Sequence, residues 1–425
     1  MNMKHLKAMK GFLILLLTQT LSSLGSSMTS FALIVWSYNQ EGSALQTALL
    51  SVCSYTPYVL MSVFAGTLSD RWNKKRVMLM CDAFAACSTG AVAVLLHTGR
   101  LEVWHLYALN AINGLMNTFQ QPASDVASTL LTPKEGYQLA SGLRSLAGSL
   151  CGIVSPAAAT VLLTLMGMRA VIAFDLLTFA VASMSLIFLI RIPDVRGETQ
   201  DRESVWTMMR GSFKFLMENA GILHLMLFLA AINLTASMYN AALPAMLISR
   251  SGEAALGTVR AFSGVAMVVG SLIASVMPEP KSRVRVICNT LMISMSTENF
   301  LLALGRCVPV WCAETVLGWI PVPMMNANMD VIFRTRIPVP MQGRVYAARN
   351  TFQFFTIPLG YFLGGALVDG VFEPYMAAIG AQHWMARLFG TGKGSGAAVL
   401  FFLLGILGVL TCLLFRRDRA IWALE

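Results

Sequence analysis

Four acidic residues stand deep inside long apolar stretches of the sequence: Asp82, Asp175, Glu298 and Glu314; two more, Asp125 and Asp330, lie near the predicted cytoplasmic ends of such stretches. A carboxylate is costly in hydrocarbon, so each of them implies a buried partner, a water-filled cavity or a bound proton. A carboxyl group in a medium of low dielectric constant can load and release a proton near neutral pH. The sequence therefore predicts proton-binding side chains at these four positions, with Glu314 as the first candidate.

Polar side chains recur in four of the apolar stretches, in most cases at steps of three or four residues, which places them on one face of a helix. A buried amide must find a partner or water, so such a face turns inward, either as a contact between helices or as the wall of a cavity. The candidates for contact with a bound molecule are Gln19, Ser23, Asn113, Asn117, Gln121, Asn233, Ser237 and Asn326.

The elements that must position these residues are apolar runs of about 20 residues, the length that crosses a bilayer. The sequence has twelve such runs: Gly11–Trp36, Ala44–Leu68, Val77–His97, Trp104–Ser128, Gln138–Met166, Met168–Ile190, Gly221–Leu243, Gly257–Met277, Val284–Leu304, Val308–Val331, Arg349–Val368 and Gly396–Phe415. With 56% hydrophobic and 12% charged residues, the chain has too little polar surface for a soluble domain. We therefore expect an all-α integral membrane protein with twelve transmembrane helices.

The basic residues are distributed unequally between alternate loops. Of the 31 Lys and Arg residues, 24 fall on one side of the membrane in this arrangement and seven on the other. Because positive charge marks the cytoplasmic side, both termini are predicted to lie in the cytoplasm, with the chain in the cell (inner) membrane. The net charge of +10 is then explained by membrane orientation, and no nucleic-acid partner is expected.

The chain is predicted to consist of two six-helix bundles, residues 1–190 and 221–425, joined by a cytoplasmic linker at 191–220. The linker carries a mixed-charge stretch, Glu203–Met217, that suits a surface helix. A shift of 209 residues lays Glu279 on Asp70 and Arg285 on Arg76, which is a weak internal repeat. The segment Asp369–Gly396, with five glycines, suits a flexible surface loop.

A short polar segment, Gly66–Arg76, joins the second and third runs and concentrates four cations beside one carboxylate. Its spacing, Gly-x-Leu-x-Asp-Arg-x-x-x-Lys, resembles the cytoplasmic signature of the major facilitator superfamily of secondary transporters. Asn73 replaces the usual second glycine, and Asn tolerates a positive φ. The predicted cytoplasmic gate residues are Gly66, Asp70, Arg71, Lys74, Lys75, Arg76, Asp125 and Arg344.

Three further stretches narrow the resemblance: Ala173–Phe179, Pro340–Tyr346, and Phe372-Glu-Pro followed by Leu388–Gly396. They are similar to the macrolide-efflux branch of the drug:proton antiporters, over nearly the whole chain. Gly148, Gly152 and Pro156 resemble the antiporter signature of the fifth span, or serve ordinary helix packing. The resemblance implies paired bundles around a midplane cavity, lined by the first, fourth, seventh and tenth spans.

The expected function is secondary export of amphipathic, macrolide-like or drug-like compounds in exchange for protons, which would confer multidrug and antibiotic resistance. The expected partners are the substrate, protons and the lipid bilayer, and the chain is expected to be a monomer. Polar amides are expected to hold the substrate amid Met and Phe side chains. A siderophore or lysolipid transporter of the same fold, or a non-transporting receptor or assembly factor, remains open. No Walker motif, catalytic triad or zinc spacing occurs, and the eight cysteines stand singly, so we expect no enzyme, cofactor or metal site.

Overall fold

The computed structural model describes residues 9–133, 136–193, 214–337 and 339–425; the side chains at 62–71, 138, 141, 334 and 339–352 lie outside this description. Throughout the described residues the chain is helical, and no strand occurs in them. The helices of the first half are α1 (Lys10–Glu41), α2 (Ala44–Arg71), α3 (Lys74–His97), α4 (Val103–Leu130), α5 (Tyr137–Met166) and α6 (Met168–Phe188).

Besides the helical residues 214–218, the described residues of the second half form ten helices, because one predicted span is broken and short helices follow the last two spans. They are α7 (Ala220–Ser251), α8 (Glu253–Val276), α9 (Arg283–Leu304), α10 (Val308–Trp319), α11 (Pro321–Arg336), α12 (Val339–Leu367), α13 (Glu373–Ala378), α14 (Trp384–Phe389), α15 (Ser395–Arg416) and α16 (Arg419–Trp422). The tenth predicted span is divided into α10 and α11 at Pro321, which has no backbone N–H to continue the first helix.

Ten helical segments of the described residues are long and apolar enough to cross a membrane. The second and fourth predicted spans are present as helices α2 and α4, but they are not among the ten. Polar side chains at Asn110, Asn113 and Asn117 lower the hydropathy of α4. The all-α membrane fold is confirmed, and the count of twelve stays a prediction.

Two features near the ends of helices differ from expectation. Asn73 has φ −62° and accepts a hydrogen bond from the Arg76 backbone N–H, so it is an ordinary N-cap of α3 and needs no positive φ. The segment Asp369–Gly396 is also not a plain loop. It contains the π-helical turn Val368–Phe372 and the short helices α13 and α14, so the expectation of a flexible loop is wrong for these residues.

The chain divides into two compact units. The first combines Met1–Ser37 with Cys53–Gln200, and the second combines Tyr38–Val52 with Asp201–Glu425. The two helix ends and the turn in Tyr38–Val52 therefore belong to the second unit, although the rest of α1 and α2 belongs to the first. The predicted boundaries at 190 and 221 stay a prediction, and most of the predicted surface helix Glu203–Met217 lies outside the described residues.

Each unit has its own apolar core. In the first unit, Met78 of α3, Ala123 of α4 and Leu186 of α6 are fully buried in one cluster. In the second, a larger cluster includes Phe228 of α7 and Phe333 of α11. The cores anchor the helices at fixed rotations, and this decides which faces are left for polar side chains.

Candidate functional site

The first unit has an open cavity of about 500 Å³ whose walls come from the helices α1 to α6. Its lining is rich in hydroxyl and amide groups, which α1 and α4 supply in largest number. The lining polar residues of these two helices are Gln19, Ser22, Ser23, Ser26, Ser27, Thr29, Ser30, Asn110, Asn113, Asn117, Gln120, Gln121 and Ser124. The cavity is therefore able to make many hydrogen bonds to a bound molecule.

Five of the predicted binding residues meet at this cavity: Gln19 and Ser23 from α1, and Asn113, Asn117 and Gln121 from α4. Their spacing of three or four positions places each set on one helix face, and the fold turns both faces inward. Whether these side chains bind a substrate stays a prediction.

Asp82 of α3 lies in the cavity wall and is 1% exposed. Its Oδ1 accepts a hydrogen bond of 2.6 Å from Gln120 Nε2 of α4, and its Oδ2 accepts one of 3.3 Å from Gln19 Nε2 of α1. Both donors are neutral amides. The carboxylate thus connects three helices without an ion pair to either donor.

Asp175 of α6 is the second carboxylate of the cavity and is also 1% exposed. Its Oδ1 accepts from Ser26 Oγ of α1 and its Oδ2 from Thr89 Oγ1 of α3, each at 3.2 Å. Both donors are hydroxyl groups, which rotate freely and can turn toward another acceptor.

Two glycines allow the helices around the cavity to approach closely. A Cβ at Gly25 of α1 would lie 3.0 Å from the Cα of Asp175 and would overlap Thr178 Oγ1, so a side chain there would push α1 away from α6. A Cβ at Gly114 of α4 would overlap the backbone carbonyl of Ser54 in α2. These contacts explain how α1 and α4 bring their polar faces so near the buried carboxylates.

The expectation of a lining rich in Met and Phe does not hold for this cavity. Its walls include one methionine, Met116, and one phenylalanine, Phe179, among the described residues. Serine and asparagine supply most of the hydrogen-bonding side chains in the lining. Asn113 Oδ1 is one of two lining atoms, with Thr29 Oγ1, that are buried without a hydrogen-bond partner in the described part of the chain. A bound molecule with a donor group would satisfy it.

The other three predicted binding residues belong to the second unit, and they lie in different environments. Ser237 of α7 is 5% exposed and packs against Gly360 of α12. A Cβ added at Gly360 would lie only 2.6 Å from the Cβ of Ser237. Asn233 is half-buried on α7, whereas Asn326 on α11 is exposed. Helix packing accounts for the position of Ser237, and the binding roles of Asn233 and Asn326 stay predictions.

Glu298 of α9 and Glu314 of α10 both lie in the interior of the second unit. Glu314 is 0% exposed and Glu298 is 5% exposed. Glu298 Oε1 accepts a hydrogen bond of 2.7 Å from Trp319 Nε1, and Glu314 Oε1 accepts one of 2.8 Å from Thr315 Oγ1. Glu314 Oε2 is buried and has no hydrogen-bond partner within the described residues.

A cation also lies within this buried group. Arg260 is part of α8, within the predicted span Gly257–Met277, and its Nη1 donates to Asn240 Oδ1 of α7 at 2.7 Å. The second unit thus combines two buried carboxylates with a half-buried guanidinium and several neutral donors.

The predicted gate residues are described only in part. The side chains of Gly66, Asp70, Arg71 and Arg344 lie outside the described residues. The others make local contacts: Lys74 Nζ donates to the Trp72 carbonyl at 3.1 Å, and Arg76 donates its backbone N–H to Asn73.

Two of these residues fasten helix ends of the first unit. Lys75 Nζ donates to the carbonyl oxygens of Ile187 and Ile190 at 3.0 and 2.9 Å, and a cation is favourable at such a helix C-terminus. Asp125 of α4 forms an ion pair with Arg144 of α5. The predicted roles of these residues in gating stay untested.

The glycines of the fifth span have no packing partner in the described part of the chain. A Cβ at Gly148 or at Gly152 of α5 would meet nothing within 4 Å. Ordinary helix packing therefore does not explain their spacing within the described residues, and the antiporter interpretation stays a prediction.

Sequence reasoning missed Gln120, the shorter of the two hydrogen bonds to Asp82. Gln120 directly precedes Gln121 and is rotated from it by about 100° around the helix axis, so a pattern that selects one narrow face passes over it. Ser22, Ser26 and Ser27 also line the cavity, but small residues serve close helix packing equally well, so the sequence alone does not mark them as lining residues. For metals, the described residues contain no cluster of three His, Cys, Asp or Glu side chains that would hold an ion.

Comparison with known proteins gives a family match across most of the chain. The model of the Major Facilitator Superfamily matches residues 15–361. Macrolide efflux protein A of Streptococcus pyogenes is 24% identical over 375 residues, which cover 86% of this chain and 89% of that protein. Multidrug efflux pump Tap of Mycolicibacterium fortuitum is 24% identical over 361 residues, which cover 81% of this chain and 85% of that protein.

Solved transporter structures share the fold. A bacterial homologue of the iron transporter ferroportin, in an inward-facing state, matches with a TM-score of 0.70 at 14% identity and covers 96% of this chain and 98% of its own. The nucleoside transporter NupG matches with a TM-score of 0.67 at 16% identity and covers 95% of this chain and 98% of its own. At this identity the likeness extends to the fold alone.

Proposed function

Because the chain belongs to the Major Facilitator Superfamily, a family of transporters and not of enzymes, we propose that it exports amphipathic small molecules across the cell membrane in exchange for protons. The proposed substrates are macrolide-like or drug-like compounds. The names of two relatives, Macrolide efflux protein A and Multidrug efflux pump Tap, support efflux of this kind, and both align over more than four fifths of this chain.

The observation that carries the proposal is the pair of carboxylates in the polar cavity of the first unit. Asp82 is held by amide donors and Asp175 by hydroxyl donors. The one cation that lines the cavity, among the described residues, is Arg144, and it pairs with Asp125. The negative charge of Asp82 and Asp175 is therefore available to a proton or to a positively charged group of a substrate.

Competition at one carboxylate is sufficient to couple the two flows. When a proton occupies Asp82, the neutral acid no longer attracts a protonated amine, and when the amine is bound, the proton is displaced. Each ligand then weakens the binding of the other by the same factor, as linkage requires. Alternating exposure of the site to the two sides of the membrane converts this competition into exchange.

The lining indicates which substrates fit. A molecule rich in hydroxyl groups, with a basic amine, matches the serine, asparagine and glutamine side chains as well as the carboxylates. A lysolipid would place a long acyl chain against these polar groups and leave them without partners, which costs binding energy. The cavity therefore favours the macrolide-like substrate over the lysolipid alternative.

Glu298 and Glu314 are the second proposed place for proton exchange. Their burial and the unpartnered Oε2 of Glu314 support a carboxyl group that exchanges a proton without binding a substrate. In this scheme the gate residues Asp70, Arg71, Lys74 and Arg344 hold the cytoplasmic side closed while the cavity faces outward.

The test uses inverted membrane vesicles from cells that produce the full chain. Vesicles acidified inside should accumulate an amine-bearing macrolide or a cationic dye, and a protonophore should abolish the accumulation. Vesicles from cells without the protein provide the background. Accumulation that survives the protonophore would remove proton coupling from the proposal, and no accumulation of any compound in a chemical panel would favour a receptor or assembly factor.

A further inference from the structure

The two carboxylates of the first unit's cavity differ in the groups that contact them. The donors to Asp82 are amide nitrogens, which have no lone pair to offer a cation. The donors to Asp175 are the hydroxyl groups of Ser26 and Thr89, and a hydroxyl oxygen that donates its proton still has lone pairs. Asp175 therefore stands among oxygen atoms that are able to bind a cation.

The two hydroxyl groups lie farther from this carboxylate than is usual for a hydrogen bond. Ser26 Oγ and Thr89 Oγ1 are each 3.2 Å from an oxygen of Asp175, whereas Ser43 Oγ is 2.6 Å from Asp369 Oδ2. A hard cation of the size of Na⁺ or Ca²⁺ takes oxygen ligands at about 2.3–2.6 Å. Two oxygens that are 3.2 Å apart can both lie at such a distance from one ion. They then subtend nearly a right angle at the ion, as neighbouring ligands of an octahedron do.

A third hydroxyl group faces the same carboxylate. Thr29 is 5% exposed, and its Oγ1 lies near Asp175 but makes no hydrogen bond of normal geometry in the described part of the chain. Thr29 follows Ser26 by three positions and Gly25 by four, so the three residues share one face of α1. A Cβ at Gly25 would lie 3.1 Å from Asp175 Oδ1, so this face is directed at the carboxylate. A buried hydroxyl without a partner is rare, and a bound cation would use its oxygen.

The charge and the spacing of this set favour Na⁺. Asp175 supplies one negative charge, and Arg144, the one cation that lines the cavity in the described part of the chain, is paired with Asp125. One carboxylate neutralises a monovalent ion, whereas a divalent ion bound to it would keep a net positive charge in the membrane interior. A larger K⁺ ion would need the oxygens farther apart, and the close contact of α1 with α6 at Gly25 opposes that.

We propose that the cavity of the first unit binds Na⁺ at Asp175, with the hydroxyl oxygens of Ser26, Thr29 and Thr89 as further ligands and water from the open cavity completing the shell. Such a set needs one acidic side chain and no cluster of acidic, His or Cys ligands. The consequence for transport rests on the proposed function. Na⁺ and a proton exclude each other at Asp175, so Na⁺ changes the number of protons that are exchanged for each substrate molecule, and in its absence a proton takes the same carboxylate.

Binding of radiolabelled Na⁺ to the purified full chain in lipid nanodiscs tests the site without any substrate. The wild type should bind one Na⁺ per chain, which unlabelled NaCl displaces and KCl does not. Asp175→Asn should abolish the binding. Thr29→Val and Thr89→Val should each weaken it by roughly 10- to 150-fold, the range for loss of a neutral group that contacts a charge. The matched control is Thr164→Val, at an exposed position of α5 where the hydroxyl donates to its own helix, and it should bind Na⁺ as the wild type does.

Three results of this measurement would overturn the site: no displaceable Na⁺ in the wild type, wild-type binding in Asp175→Asn, or displacement by KCl as effective as by NaCl. If Asp175→Asn does not fold, Thr29→Val and Thr89→Val take its place. Wild-type affinity in both valine variants would then overturn the ligand set.

Transport in vesicles tests the competition between Na⁺ and a proton. Na⁺ is present at equal concentration on both sides of the membrane, so that it provides no driving force. The wild type should then exchange up to one proton fewer for each molecule of a cationic dye than it does in choline chloride, and Asp175→Asn should not respond to Na⁺. An unchanged proton number at saturating Na⁺ would overturn the competition. A wild-type chain that transports no compound refutes the proposed function instead, and the binding measurement then decides the Na⁺ site by itself.

Discussion

Replacement of Asp82 by asparagine should lower the number of protons exchanged per substrate by one. Asparagine has nearly the same size and keeps one oxygen to accept the 2.6 Å hydrogen bond from Gln120, so the local packing is retained. It cannot bind and release a proton. The variant therefore separates the charge of Asp82 from its structural role.

The magnitude follows from the number of carboxylates in the cavity. One pH unit is worth about 1.4 kcal/mol, or a tenfold concentration ratio, for each proton exchanged. Asp82 and Asp175 line the cavity, so the logarithm of the accumulation ratio rises by at most two for each unit of imposed pH gradient. Asp82→Asn should reduce this slope by one, and the double variant with Asp175→Asn should reduce it to zero.

The assay measures accumulation of a cationic dye in inverted vesicles at several pH gradients, with the membrane potential clamped at zero. Loss of one charged hydrogen-bond acceptor should also weaken substrate binding by about 1.5–3 kcal/mol, which raises KM roughly 10- to 150-fold. Glu279→Gln provides the control, because the side chain of Glu279 is 91% exposed. A wild-type slope in Asp82→Asn and in the double variant would refute coupling at the cavity and direct attention to Glu298 and Glu314.

Two stability predictions test the packing around the buried carboxylates. Trp319→Phe removes the Nε1–H that donates to Glu298 at 2.7 Å, and this should destabilise the protein by about 1–3 kcal/mol. The control is Trp384→Phe, at a position that is 64% exposed, which should leave the thermal unfolding midpoint nearly unchanged. Equal midpoints for the two variants would show that the indole hydrogen bond contributes nothing. Gly25→Ala should overpack the contact between α1 and α6 and cost about 1–3 kcal/mol, while Gly90→Ala, with nothing within 4 Å in the described residues, should be neutral in the same thermal assay.

Much of the first unit's cavity could be predicted from periodicity. Asn113 and Asn117 of α4 are four positions apart, and this spacing alone places them on one face. Hydropathy then decides that such a face turns away from lipid. Both are local properties of a helix, so they need no knowledge of the neighbouring elements.

The partners of the carboxylates could not be predicted in this way. Asp82 meets Gln19 and Gln120, which are 63 and 38 positions away, because α1, α3 and α4 pack at particular rotations and depths. Asp369 is a clearer case. Its sequence context, with several glycines downstream, suggests a loop, yet its side chain caps a helix at the other end of the chain.

The amino-acid sequence by itself determined that this chain is an all-helical membrane protein of the transporter family, and which faces of its helices are polar. Composition and spacing along one helix are sufficient for that, since they decide insertion and amphipathicity residue by residue. Tertiary structure alone decided which amide meets which carboxylate and where the turn after α1 is fastened. Those contacts depend on how helices far apart in the chain approach one another, and glycines such as Gly25 and Gly365 set the closest approach.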